Sequence, residues 1–326
     1  MRRGAIKGLN FLECSIAAMA FARRPQSIWK LRSRSLELGK CTLIMGVLNV
    51  TPDSFSDGGT FSDAKVAEER ALAMLEEGAA IVDIGGESTR PGAQPVSAQE
   101  EMDRVLPVIE GVLRARPDCV ISVDTYKAET ARAAIRAGAE IVNDVSGLVW
   151  DPAMAAACAD LRCGLVLMHT RGRPSEWKTQ PRLEPEEVLP MVRDGLKRQL
   201  EHALAAGIER ERVALDPGFG FGKIGDDNYS LLARMDELLT LGQPLVAGLS
   251  RKSFLGQTLE RTIPEPGTPS NAAIPGGVRG NATLAATTAA ILAGASVVRV
   301  HDVRPALEAA RIADAVLAAP EAGDAM

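Results

Sequence analysis

The sequence is short of the features that mark several specialised classes. Only 4% of its 326 residues are aromatic, and it has just three histidines. Its five cysteines, Cys14, Cys41, Cys119, Cys158 and Cys163, are scattered, odd in number and without C-x-x-C spacing. That pattern argues against a disulfide framework or a structural zinc, and for reduced thiols in a cytoplasmic protein. No sign of charge dominates: 37 basic and 42 acidic residues leave a net charge of −5. A nucleic-acid partner is therefore not expected. Nor is a membrane span. The uncharged stretch from Ala282 to Val298 carries several threonines, is split by Gly294 and reads as a helix followed by a strand. What the chain does have is 46% apolar and 24% charged residues, enough for a sizeable core.

The ends differ from the middle. Residues 1–34 hold eight Lys or Arg against one acid, Glu13. Residues 1–38 are expected to be an extra basic segment without fixed structure. A tail or a misassigned start fits them better than organelle targeting, because Glu13 and Cys14 interrupt the apolar stretch. Residues 320–326 read as a frayed tail. The folded unit is expected to run from 39 to 319.

Within it, short β-rich runs alternate with amphipathic stretches. The strand runs are 43–47, 81–84, 120–123, 140–142, 164–168, 213–215, 245–247 and 296–300. The helical stretches include 64–77, 97–115, 128–137, 185–206 and 228–241. Eight such units predict a single α/β (β/α)8 TIM barrel, with its site at the C-terminal rim of the strands. A doubly wound sheet is the alternative, but no G-x-G-x-x-G opens a helix after the first strand.

The residues that end each run carry the functional signal. They are Asn49, Glu87 to Arg90, Asp124, Asn143 with Asp144, His169, Asp216, Ser250 to Ser253, and Arg299 with His301. Asn, Asp and Ser after a strand can simply cap the next helix. Capping gives no reason for Lys252, Arg299 and His301, whereas a parallel barrel brings every one of these positions to one rim.

Seven segments, in order, resemble the dihydropteroate synthase family of pterin-binding barrels. They are MGVLNVTPDSFSDGG at 45–59, DIGGESTRPG at 83–92, SVDTYK at 122–127, NDVSG at 143–147, LMH at 167–169, DPGFGFGK at 216–223 with SRKSFLG at 250–256, and RVHDV at 299–303. The resemblance implies that 6-hydroxymethyl-7,8-dihydropterin diphosphate condenses with p-aminobenzoate, giving 7,8-dihydropteroate and pyrophosphate. It implies a dissociative reaction in which pyrophosphate leaves first, and susceptibility to sulfonamides.

Carried over by motif, catalysis falls to Asp57, Asp124, Lys252, Arg299 and His301. The pterin would meet Asp124, Asn143, Met168, Asp216 and Lys252. A carboxylate accepts paired N–H groups, an amide does mixed duty, and a lysine donates to a ring carbonyl. The diphosphate would meet Arg299, His301 and Asn49, with Asn49 the one protein ligand to Mg2+. The p-aminobenzoate would meet Phe55, Ser56, Thr89, Arg90, Pro91, Phe221 and Ser253. Small-molecule substrates, no membrane and a homodimer complete what the resemblance implies.

Two readings compete. A pterin-dependent methyltransferase barrel would share Asp124, Asn143 and Asp216 but has no use for an anion pocket at Arg299 and His301. A non-catalytic pterin-binding homologue predicts damage to Lys252 or the loops, which are intact in sequence. The chain departs from the family in its basic leader and in a long Pro/Gly-rich segment at 261–280, expected to be a mobile surface loop.

Overall fold

The polypeptide alternates strand and helix because its apolar residues change period, from unbroken β-branched runs to one apolar residue every three or four. A computed structural model describes residues 21, 24–51, 60–88, 93–262 and 280–319. Two short strands come first, β1 (Ser27–Lys30) and β2 (Ser35–Leu38), paired antiparallel as a hairpin. The barrel strands are β3 (Leu43–Asn49), β4 (Ile81–Gly85), β5 (Ile121–Asp124), β6 (Ile141–Asp144), β7 (Gly164–Met168), β8 (Val213–Asp216), β9 (Leu245–Ala247) and β10 (Ala295–Val300). All eight pair in parallel and in sequence order, and β10 closes on β3. The expected TIM barrel is therefore the fold.

The crossover helices are α1 (Thr60–Glu76), α2 (Ala98–Ala115), α3 (Ala128–Arg136), α4 (Met154–Leu161), α5 (Pro185–Ala205), α6 (Asp227–Ala233), α7 (Ser253–Thr262), α8 (Gly280–Leu292) and α9 (Val303–Leu317). Their starts are locally encoded. Ser97 Oγ accepts the Glu100 N–H at the head of α2, and a reciprocal Glu184–Glu187 capping box spans Pro185 at the start of α5. The expected helix 228–241 is instead α6 followed by a 3-10 turn, Met235–Leu241.

Alternation along each strand sorts the core. Outward residues such as Val82, Ile121, Val142, Leu165, Leu215 and Val298 are buried against the helices. Inward, at the bottom, Met45, Ile81, Val120, Ile141, Val166, Ala214, Val246 and Val297 form one apolar layer. Trp29, Leu31 and Leu38 of the hairpin close that layer from below.

The hairpin corrects the expected boundary at residue 39. Residues 24–38 are part of the folded unit: Trp29 Nε1 donates to Arg212 O at 2.8 Å, and Arg24 is buried on Thr42 and Asp314. The basic charge of the leader hid an alternating Trp29, Leu31, Leu36, Leu38 pattern. Residues 1–20, 22 and 23, the core of the 261–280 segment and the tail from 320 lie outside the described residues.

Candidate active site

One pleat above the apolar layer, the inward positions are Val47, Asp83, Ser122, Asn143, Met168, Asp216, Gly248 and Arg299, each two residues beyond a bottom-layer residue. Asp124, two beyond Ser122, comes next. The polar residues that end the strand runs thus converge on one rim because the strand period is two and every strand points the same way.

Arg299 is the centre of this layer. Its Nε donates to Asp83 Oδ2 at 2.6 Å and its Nη2 to Asp124 Oδ2 at 2.6 Å. Asn143 Nδ2 donates to the same Asp83 oxygen at 3.0 Å. Burial opposes the Arg299 charge, but Asp83 and Asp124 outweigh it and hold the guanidinium firmly protonated. Burial pushes Asp124 up to about 7; Arg299 pulls it down, while Asp83, Glu101 and Asp144 add to the rise. Asp216 is raised by burial and held back by the Gly218 N–H, which donates to its Oδ1 at 2.7 Å, and by Lys252. Lys252 is lowered to about 8 by burial and then by Arg299, against the pull of Asp216 and Asp124. Three carboxylates and two cations thus share a largely dehydrated cup, where each charge acts on its neighbours far more strongly than in water.

His301 stands beside the cup as a neutral ring. Burial, then Arg299 and Arg251, lower it to about 3. Its Nδ1 lies 3.0 Å from Ser250 Oγ, which also accepts the His301 backbone N–H at 3.2 Å.

The loop after β8 builds the wall. Lys252 Nζ sits 3.9 Å from the centre of the Phe221 ring, a cation–π contact. Trp177 meets Phe221 edge-on from behind at 5.0 Å. This wrap needs glycine: at Gly218, φ +69, a Cβ would fall 2.0 Å from His169 O, and at Gly220, φ +79, it would press on Lys252 Cδ. Lys223 fills the inside of the loop, its Nζ donating to His169 O at 3.0 Å and Gly218 O at 2.8 Å. Lys223, to which the expected site gave no role, is the donor that shapes this glycine-rich run.

The expected residues divide as follows. Asp124, Asn143, Met168, Asp216, Lys252, Arg299, His301 and Phe221 line or border the cup, and Asn49 ends β3 on the same rim. Ser253 is exposed at the first turn of α7. Asp57, Phe55, Ser56, Thr89, Arg90 and Pro91 lie outside the described residues. Two rim endings do other work. Asp144 caps its own turn through Ser146 N and Leu148 N, and His169 turns its ring onto Gly195 of α5. Asp124 does not cap α3: Lys127 N–H goes to Thr125 Oγ1 and Ala128 N–H to Asp151. Asp83, which the expected site omitted, is central. Its signal was only its place two residues past Ile81, and its partner Arg299 is 216 positions away.

Glu87 ties off the loop that follows β4. It takes Lys127 Nζ at 2.5 Å, Tyr126 OH at 2.9 Å and, from the far end of the loop, Val96 N–H at 3.2 Å.

Among the described residues no three His, Cys, Asp or Glu side chains are grouped for a metal, and Asn49 brings one neutral oxygen. Such a donor fits an Mg2+ that travels with an anionic ligand and keeps most of its waters. Among the same residues no helix is long and apolar enough to cross a membrane.

Comparison with known proteins gives the same direction. The pterin binding enzyme family is matched over residues 45–301. The dihydropteroate synthase of Synechocystis is 42% identical over 278 residues, covering 85% of this chain and 91% of its own. The solved dihydropteroate synthase of Yersinia pestis, in complex with a sulfonamide drug, is 39% identical with a TM-score of 0.80, covering 90% of this chain and 100% of its own. That of Xanthomonas albilineans, in complex with 7,8-dihydropteroate, is 38% identical with a TM-score of 0.76, covering 91% and 100%. By sequence, fold and the residues gathered at its rim, the chain belongs to the dihydropteroate synthase family.

Proposed function

We propose that the protein is a transferase of folate synthesis, condensing 6-hydroxymethyl-7,8-dihydropterin diphosphate with p-aminobenzoate to give 7,8-dihydropteroate and pyrophosphate. The observation that carries this reading is the cup itself, in which Asp124, Asn143, Asp216, Lys252 and Arg299 face one another at the rim. Its acidic side suits the amino-pyrimidinone edge of a pterin, and its cationic side suits a departing diphosphate.

In this reading Asp216 and Asn143 bind the pterin edge, Lys252 donates to the ring carbonyl, and Met168 lies against the ring. Arg299 and neutral His301 donate to the diphosphate. Asn49 would hold Mg2+, which when bound neutralises diphosphate charge. As the C–O bond to diphosphate lengthens, positive charge spreads from the exocyclic carbon into the dihydropterin, and the Asp124 carboxylate stabilises it. The aromatic amine is neutral at pH 7 and attacks without a general base, so holding the two substrates in line is the main remaining demand. Phe221 and the stem of Lys252 form one wall for its ring, and Ser253 at the start of α7 receives its carboxylate. Phe55, Ser56, Asp57, Thr89, Arg90 and Pro91 would complete that pocket. Sulfonamides would compete there. A cytoplasmic homodimer completes the proposal.

A methyltransferase barrel has no task for an arginine and a histidine beside a pterin cup, so the condensation is preferred. The test is pyrophosphate release with and without p-aminobenzoate, paired with complementation of a dihydropteroate-requiring strain. Release that needs p-aminobenzoate and rescue of growth are expected. Neither occurring would end the proposal.

A further inference from the structure

Asp83 is wholly buried on β4, below the mouth of the cup, and one of its oxygens does all of its hydrogen bonding. Oδ2 receives Arg299 Nε at 2.6 Å and Asn143 Nδ2 at 3.0 Å, while Oδ1 has no hydrogen-bond partner. Asp124 takes the other arm of the same guanidinium at 2.6 Å, but its side chain is 13% exposed against 0% for Asp83. The two bonds therefore differ in kind. The inner one is sealed from water and faces nothing that could replace it. The outer one lies where a ligand enters.

Arginine suits this division. Nε is the fixed root of a planar fork, so a bond there sets the plane and leaves the terminal nitrogens to change partners. Asp83 also commits the amide nitrogen of Asn143, which leaves the Asn143 oxygen as the acceptor for a ligand.

We propose that Asp83 is a positioning residue that pins Arg299 by Nε, so that its Nη2 passes from Asp124 to the substrate diphosphate. The arriving anion thereby takes the cation off Asp124, and the Asp124 carboxylate faces the pterin as positive charge develops there. The inner bond keeps the guanidinium in place throughout, with its charge matched by Asp83. This deepens the proposed condensation and rests on it.

The test is Asp83→Asn, which keeps the shape and an acceptor oxygen but removes the charge. Expected is a fall of roughly 10 to 100-fold in kcat/KM for the pterin diphosphate, as for one lost charge-assisted interaction. Inhibition by added pyrophosphate should weaken in parallel, while KM for p-aminobenzoate and binding of the pterin without diphosphate stay within about threefold. The acid limb of the kcat/KM profile should also move to lower pH. Asp124 faces Arg299, Asp83, Glu101, Asp144 and Lys252, and the variant removes one of the negative neighbours.

If Asp83 is only scaffold, Asn restores it, and every constant and the pH profile match the wild type; that overturns the proposal. An equal loss for all ligands overturns it as well. Should Asp83→Asn fail to fold, Arg299→Lys asks the same question with Asp83 intact. A single ammonium cannot root on Asp83 and exchange at Asp124, so pyrophosphate inhibition should weaken as above, and wild-type values would overturn the idea. The wild-type protein is the control: without p-aminobenzoate-dependent pyrophosphate release the functional reading itself falls, whereas normal wild-type release with an unaffected Asp83→Asn removes only the role of Asp83.

Discussion

The interior of the barrel is filled twice, by the same strands and with opposite chemistry. At the bottom, eight aliphatic side chains meet Trp29, Leu31 and Leu38 of the hairpin, and burial there is pure gain. Two residues further along the same strands, Asp83, Asn143 and Asp216 are as deeply set but carry charge or amide groups, and Arg299 joins them half-buried. Burying them costs free energy that only mutual pairing offsets, and the pairing is incomplete: Asp83 Oδ1 and Ser122 Oγ are buried without partners. The lower layer holds the barrel closed so that the upper one can keep poorly solvated charges in place for a ligand.

If that division holds, a lesion in one layer should leave the other's property alone. The largest effect is expected from Trp29→Ala. It removes a fully buried indole and its bond to Arg212 O, and should lower unfolding free energy by about 3–5 kcal/mol. Both KM values should stay put in the folded fraction. Urea unfolding followed by kinetics at low temperature checks it; a KM shift without loss of stability would break the division.

Arg299→Ala is the converse. Loss of its charge-assisted bonds, roughly 1.5–3 kcal/mol, should lower turnover of the pterin diphosphate by about 10 to 100-fold. Unchanged kinetics would remove Arg299 from the site. A smaller effect, about tenfold and in kcat rather than in pterin affinity, is expected of Asp124→Asn, since an amide keeps the shape but cannot stabilise a growing cation as a carboxylate does. Steady-state kinetics with titration of the free pterin separates the two, and a change confined to KM argues against a charge role.

The upper layer was more legible in sequence than the lower. The eight strands announced themselves as β-rich runs, and their polar endings pointed to a common rim before any coordinates, because parallel topology alone brings such endings together. Which endings face inward was not legible. Asn143 and Asp144 are adjacent and equally polar, yet strand alternation sends one to Asp83 inside the cup and the other to cap its own turn. Asp83 and Lys223 went unread because their partners are fixed by closure of the barrel and by a glycine-rich wrap, neither of which has a local signature. The hairpin was missed for a different reason: its apolar alternation is only four residues long on each arm and sits among arginines and lysines.

The finest separation between the layers is their response to pH, since only the upper one holds buried titratable groups. His301 is lowered to about 3 from its usual 6.5, so its contribution to folding is present above pH 6.5 and fades as pH falls toward 3. Asp124, raised to about 7, does the reverse: its contribution is present below pH 3.8 and is lost as pH rises through 7. Between about pH 4 and 6 the two slopes oppose each other, one proton each. His301→Asn removes one of them. The stability difference between wild type and variant should then widen with rising pH across that window, by at most about 1.4 kcal/mol per pH unit, the value of a single proton. Urea unfolding at pH 4, 5, 6 and 7 measures it. A difference that stays constant with pH would mean that His301 is not a buried neutral ring in the folded protein, and that the anion pocket assigned to it is open to water.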